Sequence, residues 1–152
     1  MFHDAEHGGT LIDALARHGD GLPANVLPVE VNEVTQVGLE SIAGAIAYGA
    51  TAVRMLVRAK PRHDIAGLHK TIALTEPILA GLGFNGARVA TIEADDPDAL
   101  GDALQAVPAL AATAKPASFA ATGRKREVMR LALRELHAAA PAPVDVVPLP
   151  AG

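Results

Sequence analysis

Along the chain, short apolar runs of strand type alternate with longer segments whose apolar residues recur at helical spacing, and this restricts the fold to an α/β class. Leu11, Ile12, Leu15 and Ala16 share one face of a helix expected over Gly9 to Arg17. VLPVEV, Val26 to Val31, reads as a strand, and Pro28 inside it points to a sheet edge, because proline cannot donate to a ladder. Thr35 to Tyr48 returns to helical spacing, with Thr35 as the expected N-cap and Gly49 as the stop. AVRMLV, Ala52 to Val57, is almost wholly apolar, as an interior parallel strand covered on both faces should be. Arg54 is the exception within it, and is expected either at an exposed strand end or beside a carboxylate such as Glu30 or Glu40.

The alternation continues with a helix over Asp64 to Leu82, kinked or divided near Pro77, and a strand at RVATI, Arg88 to Ile92. Asp96 and Pro97 then open a helix to about Val107 in cap-then-proline order. Pro108 to Ser118 has no clear pattern, and Gly123 to Ala139 forms a basic amphipathic helix. In that helix Val128, Leu131, Leu133 and Leu136 face inward, while Arg124, Lys125, Arg126, Arg130 and Arg134 face outward. Right-handed crossovers between such strands give a three-layer α/β fold: a flavodoxin-like or Rossmann-like open parallel sheet flanked by helices, with the flavodoxin-like order expected.

At 152 residues the chain suits one core. Residues 1–140 are expected to form a single α/β domain and 141–152 a linker, since PAPVDVVPLPAG has linker composition. Only MFHD precedes the first helix, so the first strand should be short, and both ends suggest an excised module.

Composition excludes several chemistries. There is no cysteine, hence no disulfide, no thiolate metal site and no cysteine nucleophile. Aromatic residues make up 3% of the chain and its net charge is -4, which argues against nucleic acid as a partner. The first residues lack a basic start and an apolar run, so a cytoplasmic location is the expectation. The most apolar stretch, Ile42 to Val57, is interrupted by Arg54, which argues against membrane insertion.

In an open parallel sheet, ligands lie beyond the carboxyl ends of the strands, and that rule selects four loops. The first carries His3, Asp4, Glu6, His7, Gly8, Gly9 and Thr10, and the second Asn32, Glu33, Thr35 and Gln36. In the third are Arg58, Lys60, Arg62 and His63, and in the fourth Glu93, Asp95 and Asp96. HGGT has helix initiation as its simplest role. Alternatively Gly8, Gly9 and Thr10, with Asn32, offer a nucleotide or flavin site, although neither a full G-x-G-x-x-G nor a Walker lysine is present. Arg58, Lys60, Arg62 and His63 form either a solvated loop or a dock for an anion or acidic partner, with too few carboxylates nearby in sequence to neutralise them. His3 and His7 are four apart, but the glycines after them imply a turn, so no metal is expected there. Asp96 is a helix cap before it is a member of a carboxylate cluster. No catalytic residue is identified.

The run from LPANVLPVEVNEV through GLESIAGAIAYGATAVRMLVRAKPRHD to TEPILAGLGF resembles an internal region of proteobacterial multidomain 4Fe-4S ferredoxin-type proteins. The resemblance extends over nearly the whole chain. More distantly, the helix ending in AYGA, followed by AVRMLV and a polar loop, is similar to the small iron-sulfur subunit of methyl-viologen-reducing hydrogenase. In that subunit, cysteines in the strand-end loops hold a cluster; here those loops read HDAEHGG and RAKPRHD. The resemblance therefore implies 4Fe-4S clusters in a cysteine-bearing segment of the parent protein and no cofactor in this chain. It further implies a non-catalytic module that positions the ferredoxin part against a redox partner protein, such as an oxidoreductase subunit.

Overall fold

The computed structural model describes residues 1–150. Among these the strands β1 (Phe2–His3), β2 (Val29–Glu30), β3 (Val53–Val57) and β4 (Val89–Glu93) form one parallel sheet in the order β2-β1-β3-β4. The helices are α1 (Thr10–His18), α2 (Leu39–Ala47), α3 (Ala66–Gly81), α4 (Pro97–Gln105) and α5 (Lys125–Ala138). They flank the sheet as the three-layer α/β class requires, and the strand order follows the flavodoxin-like sequence for its first four positions. Phe2 pairs with both Val29 and Met55, so the order reverses on either side of β1.

β2 is an edge strand, as Pro28 requires, but it is shorter than Val26 to Val31. Leu27 is 75% exposed, and the N–H groups of Val29 and Val31 donate to the carbonyls of Met1 and His3. β3 is buried at all five positions. That includes Arg54, which excludes an exposed strand end for it.

Three expected boundaries are corrected. Thr35 does not cap α2. Its N–H and hydroxyl donate to the Glu33 carboxylate at 3.4 and 3.1 Å, which draws Val34–Gln36 into a separate 3-10 turn, and α2 starts after an extended Gly38. The stop at Gly49 holds, with φ +108. α3 begins at Ala66 rather than Asp64 and runs undivided through Pro77, because the proline removes one hydrogen bond only four residues from the helix end. HGGT is not a glycine turn: Ala5–Gly9 is a single π-helical turn that runs directly into α1.

The chain divides into two compact units. The first holds Met1–Gln36, Arg54–Ile65 and Ala90–Pro108. In its core Leu11 and Leu15 of α1 and Leu100 and Leu104 of α4 close over Leu56 of β3 and over Ile92 and Ala94. The second contains Val37–Val53, Ala66–Val89 and the chain from Ala109. There α2 buries Ile42, Ala43 and Ile46, and α5 buries Ala132 and Leu136 while its arginines stay exposed. Within this unit Arg88 donates to the carbonyls of Phe84, Thr51 and Ala111. The segment read as a linker returns to α3, where the Val144 N–H donates to the Gly81 carbonyl at 2.8 Å.

Candidate functional site

The reversal of strand order at β1 leaves a crevice beyond the carboxyl ends of β1, β2 and β3, and a cleft of about 150 Å3 lies there, within the first unit. Val34, Leu56, Val57, Pro61 and Ile65 give it apolar walls. Its polar groups come from three loops: Asp4 and Glu6 after β1, Glu33 and Thr35 after β2, and Arg58, Arg62 and His63 after β3.

Asp4 organises the first loop. Its carboxylate accepts the N–H groups of His7 (2.6 Å) and Gly8 (3.2 Å), and its carbonyl accepts that of Gly9 (2.8 Å). The Thr10 hydroxyl donates to the Glu6 carbonyl at 2.6 Å. The donors on which a phosphate site at Gly8, Gly9 and Thr10 would depend are thus engaged by the chain's own acceptors, and a carboxylate stands before them. Gly8, Gly9, Thr10 and Asn32 do not line the cleft.

Both adjacent histidines are buried and committed to carbonyls. His7 Nε2 lies 2.8 Å from the Ala94 oxygen, and since a carbonyl only accepts, Nε2 carries the proton. Asp95 stands 3.9 Å from the same nitrogen and accepts the Ala59 N–H, so it ties the loops after β3 and β4 together. His3 donates through Nδ1 to the Asp4 carbonyl at 3.0 Å. Asp96 caps α4 by accepting the Ala99 N–H, as its place before Pro97 predicts. Glu93 and Asp96 lie outside the cleft lining.

The cationic loop meets a carboxylate that is distant in sequence. Glu6 Oε1 lies 3.2 Å from Arg62 Nη1 and 3.6 Å from Arg58 Nη2. Glu6 and Arg62 are mostly exposed, so each contact is a surface ion pair of about 0–1 kcal/mol. Arg58 is the anchored member, with its side chain 28% exposed. His63 belongs to the lining, whereas Lys60 projects outside it. The strand-end rule placed Glu6 and the arginines on one rim; what it lacked was their distance.

The donor set does not fit an iron-sulfur cluster, since the chain has no thiolate and His3 and His7 are already bonded. Among the described residues no group of three or more histidine, aspartate or glutamate side chains is arranged to hold a metal ion. No helix among them is long and apolar enough to cross a membrane. Comparison of the chain with protein-family models, curated proteins and solved structures gives no match.

Proposed function

We propose that this chain is a non-catalytic α/β module of an iron-sulfur electron-transfer protein. Its role is to dock the cysteine-bearing, ferredoxin-like part of that protein against a redox partner through the rim of Arg58, Lys60, Arg62 and His63. The observation that carries this reading is the character of the cleft. It is about 150 Å3, whereas sites that enclose a nucleotide-sized ligand occupy roughly 300–1,000 Å3. Its lining also contains no Phe, Tyr or Trp to stack on a base or an isoalloxazine ring. An open rim carrying charges of both signs suits the edge of a protein contact, where charge sets orientation and encounter rate.

Electrons would then pass through thiolate-bound clusters outside these 152 residues. The full gene product should carry cysteine-ligated iron, while the 152-residue chain, prepared anaerobically, should show no broad absorption near about 400 nm and substoichiometric iron. Electron transfer to the partner should slow as salt rises from about 0.05 to 0.5 M, and should slow further with Arg58→Glu and Arg62→Glu. Flavin and nucleotides supply the counter-test. A ligand present at 100 times its Kd stabilises by about 2.7 kcal/mol, so a shift of that size with FMN, FAD, NAD or ATP would replace this reading with a cofactor-binding one.

A further inference from the structure

The cleft already contains an anion of the chain's own making. One carboxylate oxygen of Glu6 stands between two guanidinium groups, yet the Glu6 side chain is 77% exposed and has no packing that fixes it there. Arg58, by contrast, is held against the cleft wall, and Arg62 comes from the same loop. We infer that Arg58 and Arg62 form a binding site for a small monocarboxylate of two or three carbons, and that Glu6 occupies its carboxylate position as a displaceable internal competitor.

Three features set the ligand class. The two guanidinium groups converge on a single carboxylate oxygen, and the planar guanidinium fork is suited to carboxylate recognition. A cleft of about 150 Å3 is small beside the roughly 300–1,000 Å3 of sites that enclose drug-sized ligands, and suits an acetate or glycolate better than a nucleotide. Asp4 and Glu33 line the same cleft and add two negative charges, so an anion of charge -2 such as phosphate is repelled more strongly than a monocarboxylate. Pro61 and Ile65, which are not buried, offer apolar surface to the ligand's short carbon chain.

Because the internal carboxylate competes for the same donors, its removal should improve binding rather than weaken it. The experiment is a titration of the isotope-labelled 152-residue chain with sodium acetate and sodium glycolate, followed by amide NMR, against sodium chloride and sodium phosphate at matched ionic strength. Saturable shifts are expected in the loops that hold Asp4 to Glu6, Glu33 to Thr35 and Arg58 to Ile65. Glu6→Gln, which removes both weak surface ion pairs of the internal carboxylate, should tighten the carboxylate at least about two-fold, and Arg58→Ala or Arg62→Ala should weaken it at least about five-fold. Glu6 and Arg62 are exposed, so neither variant threatens the fold. Non-saturating shifts, shifts matched by chloride, tighter binding of phosphate, or a Glu6→Gln chain that binds no better would each overturn the assignment. None of these outcomes touches the docking reading, which is judged on the salt dependence of electron transfer.

Discussion

A Cβ placed on Gly8 would lie 2.5 Å from the Cβ of His3, so the π-helical turn before α1 can lie against β1 only because residue 8 has no side chain. Both atoms belong to segments with little freedom to move. Gly8→Ala should therefore cost about 1–3 kcal/mol through overpacking. Gly9 is the control: its conformation is helical, and its nearest contact for a Cβ is the Asp4 carbonyl at an ordinary 3.6 Å. Gly9→Ala should stabilise by about 0.4–1 kcal/mol by restricting the unfolded chain. Urea denaturation of the two variants side by side checks the contrast, and equal effects would mean the turn is wrongly placed.

Asp4 should matter as a cap. Asp4→Ala removes the acceptor of two N–H groups and should destabilise by about 0.5–2 kcal/mol, while Asp4→Asn should retain most of the stability. If Asp4→Ala were neutral in thermal denaturation, water would have to serve the His7 and Gly8 N–H groups equally well.

Leu56 is fully buried and belongs to the cluster formed by α1, α4, β3 and β4. Leu56→Ala should cost about 2–5 kcal/mol, combining the lost transfer energy with that of the cavity left behind. A loss below about 0.5 kcal/mol in equilibrium unfolding would contradict the packing of β3 in the first unit.

Stability should rise with pH on account of the Met1 ammonium. Burial, with the Arg54 charge adding to it, lowers its pKa from the ordinary 8.0, and it donates to the Leu27 carbonyl at 2.7 Å. For a base whose folded pKa lies below its unfolded one, the unfolded chain holds more protons between the two values. The contribution to stability is then complete above about pH 8 and is lost as pH falls through the folded pKa. In a chain that begins at Met1, the stability difference between about pH 6.5 and 8.5 should exceed that of the Nα-acetylated chain, which cannot titrate there. Equal differences in the two chains would show that the terminus makes no such contribution.

Much of the architecture is set by short-range chemistry and is legible in the sequence alone. Pro28 marks β2 as an edge because it lacks a donor, Asp96 and Pro97 start α4, Gly49 stops α2, and the unbroken apolar run of β3 requires cover on both faces. The absence of cysteine likewise excludes a thiolate-held cluster in this chain. Each of these follows from a residue and its immediate neighbours. What the tertiary structure alone decided are the partnerships across the fold: Glu6 with Arg62, 56 positions away, and His7 with the Ala94 carbonyl, 87 positions away. The start of α2, by contrast, was shifted by a local contact, the Glu33 carboxylate two residues before Thr35 accepting its hydroxyl. The physical reason is that propensity and capping act over a few residues, whereas the strand order, with β1 between β2 and β3, determines which distant loops share the carboxyl edge and so which charges meet.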